Sequence, residues 1–114
     1  MTECRAVIEH EGKDEIIVGR GTGPIDAFVA AMKEHGWDSF QIAEFHEDSL
    51  GKGSETQAVA YVKVESPEGI GKWGAGVDTN ITVAGVKALL RALDRLRSAR
   101  EQSAREAAAS RTAR

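Results

Sequence analysis

The stretch Gly19-Arg20-Gly21-Thr22-Gly23-Pro24-Ile25-Asp26-Ala27-Phe28-Val29 marks a change of hydrophobic period. Before it, Ile16, Ile17 and Val18 form a β-rich run; after it, Ile25, Phe28, Val29 and Met32 fall at the i, i+3, i+4, i+7 spacing of one helix face. Pro24 suits the first helical turn, because its fixed φ is already helical and its missing N–H has no partner there to lose. Asp26 is favourable beside the positive helix start, and His35-Gly36 supplies a C-terminal stop. The glycines read as a corner where unusual backbone angles are permitted. A strand, a glycine-rich corner and a helix are therefore expected in that order.

Outward from this point, Glu3–His10 and Glu15–Arg20 are β-rich runs separated by Glu11-Gly12-Lys13-Asp14, a hairpin pattern. About 55 residues after the first corner, Gly74-x-Gly76-x-Asp78-x-Asn80-Ile81-x-x-Ala84-x-Val86 repeats its spacing. Between the two corners, Ser39–His46 reads as a strand and Glu47–Glu55 as a polar, double-glycine loop. Thr56–Glu65 and Ile70–Val77 then read as a second hairpin around Ser66-Pro67-Glu68-Gly69. Asp78 or Thr79 is expected to cap a long helix whose apolar stripe is Val86, Leu89, Leu93 and Leu96. The fold class expected is α+β: two ββ(β)α units within residues 1–96, whose repeat suggests a pseudo-two-fold axis, the alternative being a chance likeness of two glycine-rich corners. Residues 97–114 follow as an Ala/Arg-rich helix extension or disordered tail.

Composition narrows the function. The 114 residues carry a net charge of −3 with Lys and Arg scattered, which leaves no basic footprint for nucleic acid or an anionic membrane. Apolar runs such as Ala27–Met32 are far shorter than a bilayer span, and the start lacks a signal-peptide core, so a cytoplasmic location is expected. The lone Cys4 has no internal disulfide partner and reads as a buried or edge thiol. His10, His35 and His46 stand too far apart in sequence for a zinc cluster, and no cofactor is expected.

Phosphate motifs fail on inspection. A dinucleotide fingerprint needs glycine where Pro24 and Thr79 stand. Gly51-Lys52-Gly53-Ser54 is not a phosphate-binding loop, because glycine follows the lysine and His46 holds the upstream glycine position. Two readings of the glycine corners stay open: tight turns alone, or helix starts that direct backbone N–H groups at a carboxylate. His46-Glu47-Asp48 joins a base to carboxylates without a placed nucleophile. Trp37 and Trp73 read as partial core or interface anchors, and Asp78 as a cap or as a partner for a ligand ammonium group.

Taken together, Gly21-Thr22-Gly23-Pro24-Ile25-Asp26-Ala27-Phe28, Phe45-His46-Glu47 with Gly51-x-Gly53-Ser54, Gln57-Ala58-x-Ala60-Tyr61-Val62, and Trp73-Gly74-x-Gly76-x-Asp78-Thr79-Asn80-Ile81 resemble the C-terminal allosteric (LeuA dimerisation) domain of the 2-isopropylmalate synthase family. The resemblance spans residues 15 to 96. It implies a homodimer that binds L-leucine between the two units as feedback inhibitor of leucine biosynthesis. Carried over by position, Gly21, Gly23 and Gly76 and the helix starts at Pro24 and Thr79 would surround the effector. The loop from His46 through Gly53 to Ser54 would cover it; Asp78, Asn80 and Gln57 would hold its charged ends, and Ala58, Ala60 and Ile81 its side chain. In the family this domain follows a catalytic (β/α)₈ barrel that condenses acetyl-CoA with 2-oxoisovalerate. Such a barrel needs about 250 residues, so no catalysis is expected of this chain, and the barrel is a candidate partner. The alternatives are a dimerisation module with a vestigial pocket, an isoleucine-sensing domain of the citramalate synthase type, and an enzyme using His46 with Glu47 or Asp78.

Overall fold

The computed structural model describes residues 1–10, 12–36, 40–51, 53 and 56–112. The chain divides into two compact units, Met1–Phe40 and Gln41–Arg114. The first contains β1 (Thr2–His10), β2 (Lys13–Gly21) and α1 (Pro24–Glu34); the second contains β3 (Gln41–Leu50), β4 (Gln57–Glu65), β5 (Gly71–Asp78) and α2 (Ile81–Thr112). The order is ββα followed by βββα, an α+β fold with two separate antiparallel sheets.

In the first unit, β1 and β2 pair from Thr2↔Gly21 to His10↔Lys13 through a turn in which Gly12 takes φ +77°. Sheet residues two apart share a face. Ile17, Gly19 and Gly21 thus lie under α1, which buries Ala27, Phe28, Ala31 and Met32. Ile25 and Val29 of the expected stripe are half-buried. Cys4, opposite Gly19, is also half-buried, and burial pushes its thiol pKa up, away from the reactive thiolate.

In the second unit the strands run in the order β3-β4-β5. One sheet face is covered by α2, and the core is Val62, Val64 and Ala60 against Ala84, Ala88, Leu89, Ala92, Leu93 and Leu96. The opposite face presents Leu50, Tyr61, Trp73 and Val77, all 38–47 % exposed. Ser66 shapes the β4–β5 turn: its N–H donates to the Ile70 carbonyl (2.9 Å), its hydroxyl accepts from the Ile70 N–H (3.2 Å), and Gly69 adopts φ +89°. At about 1.5 Å per residue, α2 is roughly 48 Å long, while a strand of the β5 length covers roughly 27 Å. The helix therefore outruns its sheet, and residues 101–109 are all exposed.

Three expectations need correcting. β3 does not end at His46; it pairs with β4 through Leu50↔Gln57, so Glu47–Leu50 belong to a strand. Ladder hydrogen bonds, together with Val59 and Ala60 as partners, outweigh the low β propensity of Glu-Asp-Ser. The cap of α2 is Asn80 and neither Asp78 nor Thr79: its Oδ1 accepts from the N–H groups of Thr82 (2.9 Å) and Val83 (3.2 Å). Finally, Gly19, Gly21, Gly23, Gly74 and Gly76 are not among the positive-φ glycines, so backbone freedom does not explain them.

Close packing explains four of the five. A Cβ on Gly19 would stand 2.2 Å from the Ala31 nitrogen, and one on Gly74 2.2 Å from the Ala88 carbonyl oxygen. On Gly76 it would meet the Ala84 carbonyl oxygen at 2.3 Å, and on Gly21 the Asp26 carboxylate at 2.5 Å. In both units glycines on a strand face alanines on a helix, and the helix backbone lies directly on the sheet. Around Gly23 nothing stands within 4 Å.

Candidate functional site

The two helix starts differ in what they leave unbonded. At α1 the cap position is Gly23, which has no side chain to accept from the helix; Pro24 follows and has no N–H to offer. The Asp26 carboxylate turns back to take the N–H (2.9 Å) and hydroxyl (3.2 Å) of Thr22. The N–H groups of Ile25 and Asp26 therefore face outward without a side-chain cap. At α2 the corresponding donors are already taken by Asn80. Asp78 accepts from the Asn80 N–H (2.9 Å) and pairs with Lys87 (2.9 Å). These bonds, the Asn80 N–H first, hold the Asp78 carboxyl below the usual carboxylate range.

Beside the α2 start, within the second unit, lies an open hollow of about 440 Å³. It is lined by Glu47, Asp48 and Ser49 of β3, Thr56, Gln57 and Ala58 at the start of β4, and Thr79 and Ile81 where α2 begins. The register accounts for this grouping. Ser49, Ala58 and Asp78 form one row across the sheet, and Glu47, Ala60 and Gly76 form the next. The second row is roofed by α2, whose Ala84 and Ala88 backbone lies against Gly76, whereas the first row lies beyond the helix start. Among the described residues the lining carries two carboxylates and no cation, three hydroxyls and an amide, with Ala58 and the 40 % exposed Ile81 as its apolar part. Such a set can accept from an ammonium group while holding a short aliphatic chain.

Of the residues expected at a site, Gln57, Ala58, Thr79 and Ile81 line the hollow. Asp78 and Asn80 adjoin it along the chain, and Gly53 accepts from the Thr56 hydroxyl at 2.7 Å. Ala60 and Gly76 sit one row deeper, Ala60 with no exposed surface and Gly76 buried. Gly21, Gly23 and Pro24 belong to the first unit. His46 is not at the hollow. It pairs with Tyr61 on the face opposite α2, stacks on Trp73 (centroids 6.1 Å apart, planes at 21°) and contacts Glu44 at 3.3 Å. Asp78, its suggested catalytic partner, points to the helix side and is bound to Lys87. Ser54 and Trp37 lie outside the described residues.

Glu47, Asp48 and Ser49, expected only as part of a covering loop, line the hollow as residues of β3. Period-two alternation does not reveal them: continued from Phe45 it would need apolar residues at Glu47 and Ser49, and Leu50 falls on the opposite face. Among the described residues no three His, Cys, Asp or Glu side chains gather as metal ligands, and no helix is long and apolar enough to cross a membrane.

The sequence is similar to those of known proteins. The chain is 41% identical over 91 residues to a 2-isopropylmalate synthase of Rhodospirillum rubrum, covering 80% of this chain and 16% of that enzyme. It is 38% identical over 93 residues to the 2-isopropylmalate synthase of a Parafrankia species, and 39% over 93 residues to that of Clostridium acetobutylicum, each match covering 82% of this chain and 16% of the relative. The chain thus spans about one-sixth of the length of these relatives. Residues 2–97 match the LeuA allosteric (dimerisation) domain, and the chain belongs to that family.

Proposed function

We infer that this domain binds a branched-chain amino acid, L-leucine in preference, and forms a homodimer, and that it serves in the cytoplasm as the feedback-control part of 2-isopropylmalate synthase beside a catalytic barrel. The observation that carries the reading is the hollow at the α2 start, where carboxylates and hydroxyls stand beside Ala58 and Ile81. A leucine side chain seated there contributes about 1.5–3 kcal/mol by burial. Each charge-assisted hydrogen bond at its ends adds about 1.5–3 kcal/mol. Micromolar affinity needs roughly 8 kcal/mol, within reach of such a sum. Gly21 and Gly76 contribute by letting each helix approach its sheet.

The test is a thermal-shift screen of the chain against single amino acids, run beside a mass measurement. L-Leucine is expected to raise the melting temperature more than L-isoleucine or L-valine, and to tighten the dimer if it binds at the interface. No shift with any amino acid would sink the binding role. A specific observation favours one rival: packing alone accounts for Gly19, Gly21, Gly74 and Gly76, and Asn80 satisfies α2 from within the chain. A dimerisation module with a vestigial pocket would have these features, and its dimer would be indifferent to every amino acid.

A further inference from the structure

β5 is an outer strand of the second sheet, so among the described residues one of its edges has no strand partner. In an antiparallel strand, alternate residues turn both N–H and C=O toward that free edge. The α2 helix reaches over it with a row of cations at four-residue spacing. The Arg95 guanidinium donates to the Trp73 carbonyl (2.6 Å), the Arg91 guanidinium to the Ala75 carbonyl (2.6 Å), and the Lys87 ammonium to the Val77 carbonyl (3.4 Å) while pairing with Asp78 (2.9 Å). The match is geometric. Four helical residues rise about 6 Å, and two strand residues about 6.8 Å, so a row repeating every fourth residue keeps step with carbonyls repeating every second. The two elements run in opposite directions, which is why 87, 91 and 95 meet 77, 75 and 73.

This edge needs protection. β5 contains Gly71, Gly74 and Gly76, and glycine-rich strands specify register weakly. Trp73 and Val77 are 40 % and 38 % exposed, so an added strand would gain apolar contacts as well as backbone bonds. The other outer strand is protected differently: β3 has a register irregularity between Ile42 and Glu44 and carries Glu44, Glu47 and Asp48. Bulges and charges of this kind discourage strand addition.

We propose that Lys87, Arg91 and Arg95 close the β5 edge to strand addition by a second copy of the chain. A pairing strand would have to displace charge-assisted bonds from every outward carbonyl of Trp73, Ala75 and Val77. Association through other surfaces is left open by this arrangement.

The test compares the 114-residue chain with K87M/R91M/R95M, in which methionine keeps an unbranched stem without the donors. Light scattering and thioflavin fluorescence over a concentration series should show a several-fold rise in large, β-rich species for the variant. The rise is expected although the net charge moves from −3 to −6 with three cations removed, a change that by itself increases repulsion. R5M/R97M/R105M, with the same charge change away from this edge, should behave as the parent, and R91K/R95K, which keeps a donor at each position, should also stay dispersed. A folded triple variant with the parent's association state, or equal association by the R5M/R97M/R105M control, overturns the proposal. If the triple variant does not melt cooperatively, R91M/R95M, held well below its own melting temperature, decides between the same two outcomes.

Discussion

Arg100 grips Glu68 with two charge-assisted bonds, Nε to Oε2 at 3.0 Å and Nη2 to Oε1 at 2.7 Å, and so ties the β4–β5 turn to the point where α2 leaves its sheet. The Arg100 guanidinium, followed by the Ser66 hydroxyl, holds the Glu68 carboxyl at about 2, well below its ordinary 4.5. A carboxyl whose folded value is lowered contributes stability that is complete above its unfolded pKa and disappears as pH falls through the folded one. The contribution should therefore fade between about pH 4.5 and 2. Both groups meet solvent, so the effect is small. E68Q should lower the melting temperature slightly at pH 7 and by much less at pH 2; equal effects at both pH values would refute the assignment.

Where helix backbone lies on a strand glycine, a methyl group has no space. G74A and G76A place a Cβ within 2.2–2.3 Å of a carbonyl oxygen of α2. Overpacking of this kind costs about 1–3 kcal/mol, and backbone contacts put both variants at the upper end. Denaturant midpoints should fall accordingly, whereas a neutral outcome would mean that α2 rides further from the sheet.

The two caps make opposite predictions. N80A removes the acceptor of two N–H groups and should cost about 1 kcal/mol. G23S supplies an acceptor where Gly23 has none and nothing stands within 4 Å, and should stabilise α1 by about 0.5 kcal/mol. Thermal melts of the two variants should move in opposite directions. A G23S melt below the parent would show that Gly23 is required in its own right.

Much of this was legible in the chain itself. Pro24 and Asp26 announced α1, and the periods around Ile16–Val18 and Leu89–Leu96 announced the strand and helix types. The extent of β3 was hidden, because Glu47-Asp48-Ser49 has loop composition and becomes strand only by pairing with Ala60, Val59 and Ala58. The purpose of Gly74 and Gly76 was hidden as well, since a small residue on one element is explained by Ala84, Ala88 and Ala92 on another. The same tertiary pairing brings Glu47 and Asp48 to the hollow, so that part of the site could not be read locally.

Beyond the Arg100 clamp, residues 101–109 of α2 are exposed throughout. Leu96 is the last buried leucine of the helix. Ending the chain after Gln102 should change the unfolding free energy by less than about 0.5 kcal/mol, because the described side chains it removes are exposed. The helical signal in circular dichroism should fall in proportion to the residues removed. A lower midpoint would reveal that the extension is packed in solution.

The carboxylates of Glu47 and Asp48 provide the sharpest test of the effector reading. Among the described residues that line the hollow none is a cation, so a ligand ammonium group is a charge the two carboxylates suit. E47Q/D48N preserves shape and removes both charges at exposed strand positions, so stability should change by less than about 0.5 kcal/mol. Leucine affinity, measured by calorimetry, should weaken roughly tenfold or more, the equivalent of about 1.4 kcal/mol. The same titration with I81A reports on the apolar side: Ile81 is 40 % exposed, so its loss should weaken leucine more than alanine with little effect on folding. Leucine binding that survives both variants unchanged would move the effector away from the α2 start.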